Sequence, residues 1–336
     1  MVRNILLLLM FCAMAAASTA NAAKDGKDTA PATSDVLKLE IHRHSAWSKI
    51  PIKGVDADGM RMNMAPGDSL PFRDMSLTVT EMLAAHANDQ RDSVTITLRQ
   101  GGTTETRTLN EGAAFNWKGY HVAIVAIYTK PGELGHGSTV VEVATVESLP
   151  KEVAQSDKAN GPEFRIRVKH NIDKLTLHHS ATSHSLETDL KEKLRSMQVW
   201  GEKDRNWFDV PYHFFIDLDG SIYEARDFHY MGDTNTRYDP RGHFLINCYG
   251  NYSKMEPNKL QLEAIAKLMA WAAAEYHIEP LKIYGHSDLA GTSCPGENLY
   301  KYIKDGTFQR MVEGILAKGK PELIWIDENE AKPHKQ

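Results

Sequence analysis

The sequence predicts two domains: a small, mostly β domain, and then an α/β (α+β) domain in which strands and helices intermix. Short alternating apolar runs separated by glycine and proline fill residues 35–150, whereas strand and helix patterns alternate from residue 163 onward. Residues 151–162 are polar and end in a proline, so we interpret them as a linker. The second domain is expected over residues 163–317, followed by a loosely held C-terminal tail over 318–336, in which Leu323, Ile324 and Trp325 are candidates to dock on another element.

Length and composition support this division. The 336 residues are enough for two domains, and a hydrophobic content of 42% is that of an ordinary globular protein. A net charge of -5 with scattered basic residues argues against a nucleic-acid partner. We also expect no membrane span, because no apolar run is long enough for one.

The first 22 residues have the pattern of a secretory signal peptide. Arg3 precedes an apolar run over residues 5–17, and Ala20 and Ala22 form a small-x-small cleavage site. We therefore predict a secreted protein, most simply a periplasmic one. The alternative is a lipoprotein anchored at Cys12, but the bulky Phe11 and the lack of a lipobox disfavour it.

The β domain begins with alternating apolar residues near Leu37. A hairpin is predicted over residues 94–109, because Gly101 and Gly102 interrupt the alternation. Strands are predicted over 120–128 and 139–146, and one short helix over 76–85. His42 and His44 lie on one strand face; they are either a metal pair or, more simply, solvated surface side chains.

In the second domain, residues 174–178 form a predicted strand that ends at His178. A helix over 186–200, a hairpin over 212–224 and a buried strand over 244–249 follow. Pro257 suits the first turn of a further helix that reaches about residue 277. Two more helices are predicted over 299–303 and 307–317.

Chemically versatile side chains cluster at the ends of these elements. Imidazoles, a thiol, a phenol and a hydroxyl occur within residues 178–182, 207–214 and 285–295. Two imidazoles and one thiolate form a ligand set that zinc accepts, and three protein ligands are typical of a hydrolase site rather than of a structural one. Cys294, in a loop beside Pro295, is the candidate thiolate. A disulfide with Cys248 is the alternative, which the apolar strand around Cys248 disfavours.

Five segments, residues 178–182, 207–214, 219–226, 250–252 and 286–296, occur in an order that resembles a known family. The family is that of the type 2 N-acetylmuramoyl-L-alanine amidases, which includes phage amidase-lysozymes and animal peptidoglycan recognition proteins. The resemblance covers about residues 165–315 and nothing before residue 150. It implies a mixed central sheet flanked by helices, with a zinc cleft.

By position, the resemblance implies that one zinc ion per chain is held by His178, His286 and Cys294. His179 falls on a non-ligand position. Tyr212 and Thr292 match residues that lie beside the reacting carbonyl in the family. The implied reaction is hydrolysis of the amide between N-acetylmuramic acid and L-alanine in peptidoglycan.

The sequence departs from the family at two places that bear on proton transfer. Asn247 stands where some relatives carry a strand carboxylate, and Thr234 stands where others carry a histidine. Because an asparagine cannot supply a proton, Tyr212, His213 and Glu224 are the remaining candidates for transferring one.

The predicted substrate contacts are Trp207, Asn251, Arg226 and Asn247, with Asp209 as a further candidate. Each also has a structural interpretation, as a packing, turn or ion-pair residue. The expected partner is peptidoglycan or a muropeptide. The competing hypothesis is a protein that binds muropeptides without cutting them, which the presence of Cys294 disfavours.

Overall fold

The computed structural model describes residues 36–85, 91–131, 135–158, 165–279 and 282–327. The predicted signal peptide lies outside the described residues, as does part of the predicted linker. Five helices occur in the described part of the chain: α1 (Lys151–Ala154), α2 (Leu190–Asp204), α3 (Lys259–Glu275), α4 (Glu297–Lys304) and α5 (Thr307–Leu316).

The strands, again for the described residues, are grouped here by position in the chain. The first ten are β1 (Lys38–His42), β2 (Val55–Asp56), β3 (Gly59–Met64), β4 (Ser69–Phe72), β5 (Met75–Leu83), β6 (Ser93–Gln100), β7 (Thr103–Asn110), β8 (Ala114–Trp117), β9 (Tyr120–Tyr128) and β10 (Ser138–Thr145). The remaining seven are β11 (Ile166–Arg167), β12 (Lys174–His179), β13 (Phe214–Ile216), β14 (Ile222–Glu224), β15 (His243–Cys248), β16 (Ile283–Gly285) and β17 (Glu322–Ile326).

A mixed seven-stranded sheet organises the second half of the chain. Its order is β16-β12-β15-β13-β14-β1-β17, and every neighbouring pair is parallel except the hairpin of β13 and β14. Helix α2 lies on one face, and α3 with α5 covers the other. The expected fold class, a mixed sheet flanked by helices, is confirmed.

The two faces of this sheet follow from residue alternation. Leu175 and Leu177 of β12 are fully buried in the core beneath α3, so His178 points to the face of α2. On the neighbouring strand β15, Phe244 and Ile246 enter the same core. Alternation therefore separates an apolar face that stabilises the fold from a face that carries polar side chains.

Two antiparallel four-stranded sheets form most of the first half. Their orders are β3-β10-β9-β8 and β4-β5-β6-β7, and their inner faces share one apolar core that includes Trp117. The predicted hairpin with Gly101 and Gly102 is confirmed as β6 and β7. The predicted helix over residues 76–85 is wrong. Leu77 and Val79 alternate into the core, and β5 pairs with strands on both sides.

Two elements lie elsewhere than the sequence suggested. Strand β1, assigned to the first domain, pairs with β14 and β17 in the large sheet. Residues 322–326, assigned to a loose tail, form β17 and pair with β1 in a five-residue register. A strand gains its backbone partners only through this pairing, which a single-sequence pattern does not reveal. The domain division itself stays a prediction.

The long helices begin at polar caps. Asp189 accepts a hydrogen bond from Lys191 N–H at the start of α2. Asn258 and Gln261 form a capping box at the start of α3, so Pro257 lies before the cap and not in the first turn as expected. No helix in the described ranges combines the length and apolarity that a bilayer crossing requires.

Candidate metal centre

Three side chains converge at the carboxyl edge of the large sheet. His178 lies near the end of β12, and His286 follows directly after β16, which pairs with β12 in parallel. Cys294 lies in the loop between His286 and α4. Because neighbouring parallel strands end at the same edge of a sheet, His178 meets two residues that lie 108 and 116 positions further along the chain.

The donor atoms of His178, His286 and Cys294 lie within 4.8 Å of one another, and all three side chains are buried. Sγ of Cys294 is 3.7 Å from Nδ1 of His178, and the two imidazole centroids are 4.7 Å apart. Two ligands of one tetrahedral zinc, at about 2.3 Å for sulfur and 2.0–2.1 Å for nitrogen, are separated by roughly 3.5 Å. The observed spacing fits a shared metal ion.

Unsatisfied atoms support the same fit. Within the described residues, Nδ1 of His286 is buried without a hydrogen-bond partner, whereas Nε2 of the same ring is bonded to Thr236. Buried polar atoms normally have partners, so an unpaired ring nitrogen in this group indicates a missing ligand. The set of two nitrogens and one sulfur suits zinc better than a hard cation such as Mg²⁺ or Ca²⁺.

Burial sets the protonation of these ligands. Desolvation, with a smaller effect of His286, lowers the pKa of His178 well below 6.5. Desolvation likewise lowers the pKa of His286 to about 4, so both rings are neutral and can bind a metal at pH 7. Burial raises the pKa of the Cys294 thiol to about 12, although His179 N–H donates to its Sγ at 3.3 Å. A bound cation would stabilise the thiolate directly.

Neither His179 nor Cys248 joins this group. His179 is buried on the opposite side of β12, where its Nδ1 accepts a hydrogen bond from Tyr252 N–H at 3.3 Å. Cys248 lies in the core beneath α3, and both described cysteines are free. The side-chain alternation of β12 and β15 explains why only one residue of each neighbouring pair faces the site.

A loop over residues 231–238 covers His286. The hydroxyl of Thr236 is hydrogen-bonded to Nε2 of His286, and the hydroxyl of Thr234 lies 3.4 Å from the same atom. The Tyr238 ring contacts the imidazole at a centroid distance of 5.2 Å. Sequence reasoning named Thr234 only as a departure from the family and missed Thr236 and Tyr238. The Thr-x-Thr spacing of residues 234 and 236 was the sequence signal that could have indicated the two threonines.

Tyr212 and Thr292 both lie next to the ligands. The Tyr212 ring is 4.5 Å from the His178 ring, and burial, with the nearby Cys294, raises the pKa of its phenol. The Thr292 hydroxyl accepts a hydrogen bond from Cys294 N–H at 3.2 Å. The structure thus brings together the five residues that the resemblance implied, while the catalytic roles of Tyr212 and Thr292 stay predictions.

His213 has a structural role that leaves no nitrogen for proton transfer. Its Nε2 is hydrogen-bonded to the Tyr230 carbonyl at 3.0 Å, and its Nδ1 accepts a hydrogen bond from Leu245 N–H at 3.0 Å. Desolvation, which is the largest effect, lowers its pKa well below 6.5. The ring is therefore a neutral bridge between segments of backbone.

Glu224 also lies away from the metal-binding group. Its carboxylate accepts a hydrogen bond from His44 N–H at 2.9 Å, and its carbonyl accepts one from Trp47 Nε1–H at 2.7 Å. Burial raises the pKa of this carboxyl group. Its contacts hold the segment that follows β1, which sequence reasoning could not place beside β14.

Arg226 is not available to a substrate carboxylate. Its side chain is 1% exposed, and its guanidinium donates to the carbonyls of Val210, Met231 and Asp209 and to the carboxylate of Asp233. The structural ion pair considered from sequence is therefore the observed arrangement.

Three other predicted substrate contacts have internal roles, and one remains open. Trp207 is 4% exposed and contacts Trp200, although it also lines a small pocket shared with Tyr238. The Asn251 side chain donates to the Ala181 carbonyl and accepts from Ser253 N–H, as in a turn. Asp209 accepts from Gln198.

Asn247 is the one predicted substrate contact for which no internal role is seen among the described residues. It is fully buried and lies beside His178 in the register of β12 and β15. Neither amide atom has a hydrogen-bond partner among the described residues. An unsatisfied buried amide next to a metal ligand indicates a group that a bound molecule would satisfy.

His42 and His44, considered from sequence as a metal pair or as solvated surface side chains, instead contact other side chains of the protein. The His42 ring stacks on Tyr223 at 4.6 Å, and Nε2 of His44 lies 3.1 Å from a carboxylate oxygen of Asp209. Trp47 and Trp117 are both core residues, with exposures of 0% and 5%.

Comparison with known proteins gives a consistent result over the second half of the chain. A family model described as N-acetylmuramoyl-L-alanine amidase matches residues 168–297. Peptidoglycan recognition protein 1 of Rattus norvegicus is 30% identical over 150 residues, which cover 44% of this chain and 81% of that protein.

Peptidoglycan-recognition protein LB of Drosophila melanogaster is 29% identical over 151 residues, or 44% of this chain, and the match spans 65% of that protein's length. The solved structure of wild-type Drosophila PGRP-LB aligns with 41% of this chain and 84% of its own, with 26% identity and a TM-score of 0.38.

Proposed function

This chain belongs to the family of N-acetylmuramoyl-L-alanine amidases and peptidoglycan recognition proteins, and from that premise we propose that it is a zinc-dependent amidase. Its substrate would be peptidoglycan or a muropeptide, and the bond cleaved would be the amide between N-acetylmuramic acid and L-alanine. Because that substrate lies outside the cytoplasm, the proposal includes secretion, most simply to a periplasm.

One observation carries the proposal: the convergence of His178, His286 and Cys294, buried and within 4.8 Å of one another. A bound zinc ion would supply Lewis acidity for the scissile carbonyl and make water nucleophilic at neutral pH. A binding protein needs no such ligand set. The thiol therefore favours hydrolysis over the alternative of binding without cleavage.

The residues around the ligands suit attack on an amide. Burial raises the pKa of Tyr212, so its phenol stays protonated at neutral pH and can donate a hydrogen bond to a developing oxyanion. The Thr292 hydroxyl accepts from Cys294 N–H and retains its own proton as a second donor. The buried amide of Asn247 could orient a polar group of the substrate.

The test uses the full-length secreted protein, purified and loaded with zinc, on intact sacculi, with the products identified by mass spectrometry. We expect release of stem peptides that begin with L-alanine, together with muramic acid that lacks a peptide. Cys294→Ser should abolish zinc retention and product release. Cys248→Ala should preserve both, because that thiol lies on the other face of the sheet.

Two outcomes would contradict the proposal. If the protein bound zinc but left the sacculi uncleaved, it would be a binding protein. Cleavage at another bond of the stem peptide would show that the protein is a hydrolase with a different specificity.

A further inference from the structure

A cluster of buried charges joins the β sheets of the first half to the loop that covers the metal-binding group. Its members are Arg61 and Glu142 from the first half and Arg226 and Asp233 from the second. Each side chain is at most 8% exposed. Two positive and two negative charges balance, which is the condition under which buried ions are tolerated.

Arg61 is the residue that connects the two halves. It lies on β3 in register with Glu142 of β10, and its Nη1 is 2.5 Å from that carboxylate. Its Nε donates to Asp233 at 2.8 Å, and its Nη2 donates to the Arg205 carbonyl, at the end of α2, at 2.7 Å. The planar guanidinium therefore makes three contacts in fixed directions.

Asp233 is fixed on several sides. Its second carboxylate oxygen is 2.6 Å from Nη1 of Arg226, and its N–H donates to the Pro211 carbonyl at 3.0 Å. Gly232, immediately before it, packs so closely that an added Cβ would lie 2.2 Å from Cδ1 of Leu245. Residues 231–238 belong to no helix or strand. The position of the start of the loop therefore depends on the contacts of Asp233 and Gly232.

The same loop contacts the proposed ligand His286. The hydroxyls of Thr234 and Thr236 are 2.8 Å apart, Thr236 N–H donates to Thr234 Oγ1, and Thr236 is hydrogen-bonded to the imidazole. Only two residues separate Asp233 from Thr236. A displacement of Asp233 would therefore move the group that orients the ring of His286.

We propose that Arg61 is a positioning residue for the metal centre: through Asp233 and Thr236 it fixes the imidazole of His286 in the orientation that binds the ion. This assigns the first half of the chain a part in assembling the site. The inference rests on the proposed metal centre. Changes to residues that orient a metal ligand typically cost about 10–100-fold in metal affinity.

The first variant is Arg61→Lys, which keeps the charge but cannot make the three guanidinium contacts. The dissociation constant for zinc is measured by competition with a chelator, and the environment of Co²⁺ by its visible d–d absorption. We expect a dissociation constant about tenfold higher and an altered cobalt spectrum. Arg107→Lys is the matched control, since Arg107 pairs with Glu105 and stacks on Phe115 within the first half; it should match the wild type.

A second variant separates positioning from folding. Arg61→Met with Glu142→Leu removes one charge of each sign and leaves the pair of Arg226 and Asp233. Its fold is checked by near-ultraviolet circular dichroism, and its zinc dissociation constant should rise at least as much as that of Arg61→Lys.

Wild-type affinity and an unchanged cobalt spectrum in both variants would overturn the inference and leave the metal centre intact. Failure of the wild-type protein to bind either metal would overturn the metal centre and the inference together.

Discussion

Sγ of Cys294 lies 3.7 Å from Nδ1 of His178, although 116 positions separate the two residues in the chain. Two neighbouring parallel strands and one loop produce this proximity. His178 lies on β12, His286 directly follows the neighbouring strand β16, and Cys294 lies in the loop before α4. The candidate metal centre is thus a property of the sheet edge, and substitutions should distinguish residues that take part in its chemistry from residues that support its structure.

Tyr212→Phe should lower kcat without removing the metal. The substitution deletes only the hydroxyl, and loss of one oxyanion donor typically reduces the rate by about 10²–10³-fold. Zinc content and kcat are measured on the same preparation, with Tyr302→Phe as a control in α4. A wild-type kcat in Tyr212→Phe would show that the phenol takes no part in the reaction.

His213→Ala should destabilise the protein. It leaves the Tyr230 carbonyl and the Leu245 N–H without the partners they now have, and each buried unsatisfied group costs about 1–3 kcal/mol. Urea denaturation should therefore show a loss of roughly 2–5 kcal/mol. His136→Ala, at an exposed turn, should cause little change. If activity fell while stability did not, a proton-transfer role would be indicated instead.

The contact of His44 with Asp209 should make stability depend on pH. Burial lowers the pKa of His44, but the hydrogen bond and charge of Asp209 outweigh burial and raise it above 6.5. A raised histidine pKa stabilises the fold fully below the unfolded value of 6.5, and the contribution is lost as pH rises through the folded value.

The difference in Tm between the wild type and His44→Gln should therefore be larger at about pH 5.5 than at about pH 9. Asp209→Asn should reduce this pH dependence, because it removes the charge that raises the pKa. Equal Tm differences at the two pH values would contradict the prediction.

Removal of residues 319–336 should destabilise the large sheet. Strand β17 pairs with β1 along five residues, and half-buried Leu323 and Trp325 pack against the core. Burial of such side chains contributes about 2–4 kcal/mol in total, which differential scanning calorimetry would register as a lower Tm. Removal of residues 328–336 alone keeps β17 and serves as the control. Identical Tm values for both truncations would show that β17 adds nothing to stability.

Local patterns predicted the elements that have strong periodicity or turn residues. The glycine pair between β6 and β7 and the apolar spacing of α2 were sufficient, because turn geometry and amphipathicity are local properties. The same reasoning failed for β5, where tertiary pairing decided between helix and strand. It found the alternation of β1 but assigned that strand to the first domain, and it assigned residues 322–326 to a loose tail, because the partners of both strands are distant in the chain.

For the site, the motifs identified His178, His286 and Cys294, and the structure brings them together. Motifs did not separate chemistry from scaffolding in His213, Glu224 and Arg226. A side chain of any of these types can serve either purpose, and only its partners in space distinguish the two. Thr236 was missed for the same reason, since its contact with His286 spans 50 positions.

The sequence by itself determined the contrast between a β-rich first half and a mixed second half, the ligand types of the candidate metal centre and the family resemblance. These depend on residue identity and on short-range order, which a linear pattern contains. Only the tertiary structure decided which polar groups are already satisfied, which strands complete the large sheet, and that Arg61 of the first half reaches the loop over His286. Hydrogen-bond partners and buried charges are set by distances between remote segments, and those distances exist only after the chain has folded.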